Sequence, residues 1–172
     1  MKKVLVSIFA LSLLIMLASF GIAKGDSEVI NKVKITGEEI PEGFIFGKIP
    51  GFARRTLKDN PWLLDTTAVR KLTDRIYPGG NYNSIRDIHM TILTQSERPY
   101  GDDIVCYIIV FKDMSAAKTE IKKMTDFVGF NTDRAILMTK DNVAVFLHVD
   151  STDNFHYITG LSGSIKPRLE GI

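Results

Sequence analysis

An uninterrupted apolar segment in the second half of the chain places the strongest constraint on the fold. It runs from Ile104 to Phe111 and contains no charged or turn-forming residue. Such a segment is typical of a central strand, because both of its faces must be covered by other parts of the protein. Cys106 lies within it, and a cysteine in such a position usually behaves as a small buried hydrophobic residue. We therefore expect a central strand at Ile104–Phe111 and an unreactive thiol at Cys106.

Two segments have the apolar spacing of helices that bury one face. Asp65 can cap the first, and Asp113 or Ser115 can cap the second. The apolar positions are Ala68, Val69, Leu72 and Ile76 in the first, and Ala117, Ile121, Met124 and Val128 in the second. Turn residues beginning at Pro78 end the first pattern, and Gly129 ends the second.

Other segments have the patterns of strands. Ile88, Met90 and Ile92 alternate with polar residues, which predicts a half-buried strand. Residues 134–139 and 143–149 are separated by a short turn-forming segment, which predicts a hairpin. Residues 43–49 are a further candidate strand. The pattern of residues 24–36 fits a frayed lead-in or a short edge strand, and the segment after Asp153 fits either helix or strand.

The order of these elements predicts an α+β fold. We expect an antiparallel sheet of four to five strands, with two or three helices on one face. Residues 65–172 would form the core of one domain, on which the loop-rich residues 24–64 pack. An internal helix-strand-strand repeat is an alternative to chance similarity, since Arg70–Asp74 resembles Lys122–Asp126 and the strands that follow also align.

The first 23 residues have the features of a secretory signal peptide. Lys2 and Lys3 precede an apolar segment, Val4–Leu17, and Gly21 and Ala23 then offer a small-x-small cleavage site. We predict cleavage after Ala23 and a periplasmic or secreted product without a stable membrane anchor. The alternative is an uncleaved N-terminal anchor, since roughly 20 apolar residues suffice to span a bilayer.

The charge and cysteine content narrow the possible partners. The chain has 22 basic and 20 acidic residues, and loss of Lys2 and Lys3 would leave a neutral product. A neutral chain is not expected to bind nucleic acid through general attraction to phosphates. The single cysteine excludes an intramolecular disulfide, so the fold must depend on its core.

Three polar residues near the C-terminus are the best candidates for a metal site. His148, Asp150 and His156 lie close together in the sequence, and His89 is a possible addition. They would support a hydrolase or another metal-dependent enzyme. However, they lack the compact spacing that histidine ligands usually have on one strand or helix. We therefore keep this site as an alternative and predict no cofactor.

The segment between Ile40 and Leu64 is the leading candidate for a binding surface. It is rich in proline and contains Phe44, Phe46, Phe52 and Trp62, and long ordered loops of this kind are often functional. The leading hypothesis is an exported, non-enzymatic domain that binds an envelope protein or a small apolar ligand through these aromatic residues. They could instead simply cover the sheet. A third hypothesis is an envelope structural subunit, which a long unpaired apolar edge strand would favour.

Overall fold

The computed structural model describes residues 28–48, 55–57, 62–98 and 103–172. Seven strands form one sheet: β1 (Phe44–Phe46), β2 (Arg55–Thr56), β3 (Trp62–Leu63), β4 (Ile85–Gln95), β5 (Ile104–Phe111), β6 (Ala135–Lys140) and β7 (Val143–Val149). The helices are α1 (described over residues 28–33), α2 (Thr66–Ile76), α3 (Met114–Gly129) and α4 (Phe155–Glu170). The predicted signal segment, residues 1–23, lies outside the described residues. Among those described, no helix is both long and apolar enough to span a membrane.

The sheet is antiparallel at every pairing, with the strand order β2-β3-β4-β5-β7-β6. β1 also pairs with β4, beside the part of β4 that β3 leaves unpaired. The predicted α+β class and antiparallel sheet are confirmed. β5 lies at the centre, as the apolar segment predicts, and the two-residue strands β2 and β3 extend the sheet beyond the predicted four or five strands.

Local signals account for the ends of the helices and for the hairpin. The carboxylate of Asp65 accepts a hydrogen bond from the Ala68 N–H at 2.9 Å, and that of Asp113 accepts one from the Ala116 N–H at 2.8 Å. Each bond satisfies an N–H that the first helical turn leaves without a backbone acceptor. The β6–β7 turn places Asp141 at φ 50°, a conformation that aspartate adopts more readily than most residues.

The helices cover both faces of the sheet rather than the single face that the sequence predicts. We name the face that carries Ile104 and Ile108 face A, and the opposite face, which carries Ile109 and Phe111, face B. α1 and α4 pack on face A, whereas α2 and α3 pack on face B. The reason lies in β5, because a strand that is apolar at every position exposes hydrophobic surface on whichever face is left uncovered.

The described part of the segment predicted as a frayed lead-in or an edge strand, which starts at residue 28, is helical. Residues 28–33 form α1, whose Ile30 and Val33 are buried on face A. Arg168 of α4 holds its end in place, since the guanidinium donates hydrogen bonds to the Lys34 carbonyl at 3.0 Å and to the Glu39 carboxylate at 2.6 Å. The C-terminal segment, which the sequence leaves ambiguous, is the long helix α4.

Covering face A buries polar residues as well. His89 and Thr91 of β4 are 0% and 1% exposed, although they alternate with the apolar residues of that strand. Cys106 is buried beside Thr91, and burial raises the pKa of its thiol to about 12. A thiol with such a pKa is protonated at neutral pH and a poor nucleophile, in agreement with a core role.

The two helix-strand-strand units have corresponding places in the fold. α2, β4 and β5 form one unit, and α3, β6 and β7 form the other. The second strands of the two units, β5 and β7, lie side by side at the centre of the sheet, while both helices pack on face B. This arrangement is compatible with an internal duplication, which stays a prediction.

Candidate functional site

The two faces of the sheet differ at the end where β4 finishes and β5 begins. On face A, register partners Leu93, Ile104 and Val149 are all 0% exposed. On face B, the adjacent row consists of Ile92, Val105 and His148, which are only partly buried. α2 and α3 therefore cover face B incompletely at this end.

A cavity of about 430 Å³ opens beside this row, where β1 meets β4. The register places Ile45 opposite Thr94, and the Gly47 N–H continues the pairing with a 2.8 Å hydrogen bond to the Ile92 carbonyl. We name it the β1–β4 cavity, and the described residues that line it are Ile45, Phe46, Gly47, Lys48, Ile92, Thr94 and Asp103. The volume lies within the range of pockets for small molecules.

Gly47 allows the close approach of the two chain segments that form this wall. A Cβ atom at this position would lie 3.0 Å from the Ile92 Cγ2 atom and 3.3 Å from its carbonyl oxygen. Any side chain here would push against Ile92, so the absence of a Cβ atom helps to set the shape of the cavity.

The lining is mainly apolar, with a few polar groups. Ile45 is 47% exposed, a large exposure for an isoleucine on a sheet face. Lys48 and Asp103 supply one charge of each sign. Thr94 is 5% exposed, and its hydroxyl oxygen has no hydrogen-bond partner among the described residues. Such a lining suits a small apolar molecule better than a highly charged one.

The aromatic residues predicted to form a binding surface lie on different faces. Phe44 is buried on face A, where its ring packs edge-on against the Tyr157 ring, with 5.0 Å between the ring centroids. Phe46 is partly buried, packs on the same cluster and also lines the β1–β4 cavity. Trp62 packs on face B, and Phe52 lies outside the described residues. Of the predicted residues, Phe46 alone is placed at the cavity by the described part of the structure.

The residues proposed for a metal site are not brought together. His148 points to face B, whereas His156 lies on α4, which packs against face A. His156 is exposed, and the centroid of its ring lies 3.8 Å from that of the Tyr157 ring. Asp150 is exposed after β7, and His89 is buried on face A. Within residues 28–48, 55–57, 62–98 and 103–172, no cluster of three or more histidine, cysteine or acidic residues could hold a metal ion.

The open row on face B contains an ionisable group with a changed pKa. Burial lowers the pKa of the His148 imidazole, the Asp150 carboxylate opposes this effect, and the Arg134 charge adds to it. His148 therefore favours the neutral form more strongly than a solvated histidine does. On the same face, burial raises the pKa of the Tyr107 hydroxyl to about 12. Both groups are uncharged at neutral pH, which keeps this part of face B largely apolar.

A buried carboxylate joins the helices on the covered part of face B. Glu120 of α3 is 1% exposed and accepts hydrogen bonds from the Tyr77 hydroxyl at 2.8 Å, the Asn81 N–H at 3.0 Å and the Lys123 ammonium at 2.8 Å. Burial raises its pKa, but these donors and the Lys123 charge outweigh burial, so the pKa lies below its ordinary value. The Lys123 ammonium also donates to the Gly79 carbonyl. These bonds fix the loop after α2 against α3.

Apart from Phe46, the sequence singles out none of the described cavity residues as a binding residue; these are Ile45, Gly47, Lys48, Ile92, Thr94 and Asp103. Ile45 and Thr94 meet only because β1 pairs with β4 far along the chain. The sequence signal nearest to the cavity is the apolar triplet Phe44, Ile45 and Phe46. In a strand, successive side chains point to opposite faces, so this triplet places apolar side chains on both faces of β1.

Comparison with protein families, with curated proteins and with solved structures finds no match to this chain.

Proposed function

We propose that this protein is an exported, non-enzymatic domain of the cell envelope that binds a small apolar ligand in the β1–β4 cavity. The observation that carries this proposal is the open, mainly apolar cavity beside an exposed Ile45. Burying apolar surface of a ligand there would release ordered water at little electrostatic cost. Export is proposed from the basic and apolar residues that precede Ala23.

The proposed binding mode can be tested with a fluorescent, uncharged apolar probe such as N-phenyl-1-naphthylamine. Ile45→Gln removes apolar surface from the mouth of the cavity and should weaken probe binding about tenfold. Met114→Gln is the matched control, because Met114 is 59% exposed but does not line the cavity. Equal effects of the two substitutions, or no binding by the unaltered protein, would contradict the proposal.

Native mass spectrometry of protein from the exported fraction tests the other part of the proposal. We expect a mass that lacks residues 1–23 and a second, heavier species that loses a small molecule on activation. An intact mass that retains Met1–Ala23 in all of the protein would contradict cleavage and release.

A further inference from the structure

The β1–β4 cavity contains a polar group that its apolar character does not explain. Thr94 lines the cavity, and its hydroxyl oxygen is buried and has no hydrogen-bond partner among the described residues. A buried hydroxyl without a partner is costly, since it loses its hydrogen bonds to water and gains none in return. In a strand, valine has nearly the same shape without this cost.

A second threonine of β4, Thr91, also has a buried hydroxyl without a described partner, and it serves as a comparison for Thr94. Thr91 is 1% exposed, and its hydroxyl also has no partner in the described part of the chain. However, it lies on face A opposite Cys106 and does not line the β1–β4 cavity. Of these two threonines, Thr94 is the one that lines a cavity.

The charges around the cavity further narrow the ligand class. Among the described residues of the lining, Lys48 and Asp103 carry charges, and their signs are opposite. This described part of the lining therefore has no net charge that would attract a strongly anionic or cationic molecule. The remaining side chains at the wall, Ile45, Phe46 and Ile92, offer apolar contacts.

We propose that the cavity selects an uncharged apolar molecule with one hydrogen-bonding oxygen, which pairs with the Thr94 hydroxyl. This inference rests on the proposed function and adds the chemical class of the ligand. The hydroxyl reaches the ligand by rotation about the Cα–Cβ bond, which moves Oγ1 among three staggered positions. Binding would then satisfy a buried hydroxyl that has no hydrogen-bond partner among the described residues of the free protein.

The experiment compares p-cresol and toluene, which differ by a single hydroxyl. Isothermal titration of the full protein should show that p-cresol binds about 5- to 10-fold more tightly, as expected for one added hydrogen bond. 4-Methylbenzoate and 4-methylbenzylamine should both bind more weakly than p-cresol. Preference for either charged probe would overturn the assignment of an uncharged ligand.

Thr94→Val should reduce the affinity for p-cresol to that for toluene or below it, because the phenol hydroxyl would then be buried without a partner, while Thr94→Ser should keep the preference. Thr91→Val should leave the binding of both probes unchanged. Both valine variants should melt at a higher temperature than the unaltered protein, which shows that each is folded and has lost a costly hydroxyl. If Thr94→Val retains the preference for p-cresol, another group is the partner and the inference is wrong.

The outcomes distinguish this inference from the proposed function. If toluene and p-cresol bind equally and Thr94→Val changes neither affinity, the cavity binds apolar molecules but does not select a hydrogen-bonding oxygen. If neither probe binds, the proposed function itself fails.

Discussion

Two adjacent rows of side chains at one end of the sheet belong to the same three strands but have different environments. Leu93, Ile104 and Val149 on face A are fully buried under α1 and α4, whereas the neighbouring row on face B is only partly covered. The difference comes from the helices that pack on each face. Apolar residues on a sheet therefore do not by themselves show whether they form a core or a binding surface, because the placement of the helices decides it.

The largest expected effect is a difference in the free energy of unfolding between alanine substitutions of one isoleucine from each row. Ile104→Ala should lower the free energy of unfolding by about 3–4 kcal/mol, because it leaves a void in a fully packed environment. Ile92→Ala should cost only about 1 kcal/mol, since its side chain is partly buried beside an existing cavity. Urea unfolding of both variants measures this difference. Equal losses would mean that the two rows are equally well packed.

The next effect concerns the polar contacts that hold the helices on face B. Glu120→Gln should lower the free energy of unfolding by about 2 kcal/mol at pH 7, because the charged acceptor of three hydrogen bonds is lost. Glu170→Gln is the control, since Glu170 forms an exposed ion pair with Lys166 at 4.0 Å. That substitution should cost less than about 0.5 kcal/mol.

The Glu120 contribution should also depend on pH. Its pKa is lowered in the folded protein, so the folded state binds fewer protons than the unfolded state. The stabilisation is complete above the pKa of an unfolded glutamate, about 4.3, and is lost as pH falls through the folded pKa. The difference between the unaltered protein and Glu120→Gln should therefore shrink in urea titrations below about pH 4. A constant difference down to pH 2 would contradict this explanation.

Face A depends on a different contact, between Arg168 and the end of α1. Arg168→Lys should cost about 1 kcal/mol, because lysine cannot reproduce the forked donation to the Lys34 carbonyl and the Glu39 carboxylate. Hydrogen exchange should increase mainly in residues 28–36. Exchange that increases equally in α2 would show that the contact is not local to face A.

The smallest effect concerns His148 on the open row. Its pKa is lowered in the folded protein, so its stabilising contribution is complete above the pKa of an unfolded histidine, about 6.5, and is lost as pH falls through the folded pKa. His148→Gln should reduce the loss of stability between pH 7 and pH 5 by about 0.5 kcal/mol. His156→Gln is a suitable control on the exposed surface of α4.

Several elements of the fold can be predicted from local sequence signals. The caps Asp65 and Asp113, the β6–β7 hairpin and the central position of Ile104–Phe111 are all predictable from residue type and spacing. The helix at residues 28–33 is not, because Val29, Ile30, Val33 and Ile35 are too few apolar positions to establish a helical period. Its formation depends on packing Ile30 and Val33 against face A and on the hydrogen bonds from Arg168.

The placement of helices on both faces is only partly predictable. The apolar pattern of β5 shows that both faces are covered but does not show which element covers each. His89 and Thr91 suggest a polar side of β4, yet α1 and α4 bury that side of the strand. The β1–β4 cavity is harder still to predict, because it forms where residues 45–48 meet residues about 50 positions away in the sequence.

The central claim is that a small apolar molecule enters the open part of face B and leaves face A unchanged. It is tested most directly by NMR titration of p-cresol or toluene into protein with labelled isoleucine methyl groups. We predict that the signals of Ile45 and Ile92 shift with saturation, while those of Ile104 and Ile158, which are buried on face A, do not. Saturable shifts centred on Ile104 and Ile158, or no saturable shift at Ile45 and Ile92, would contradict the account.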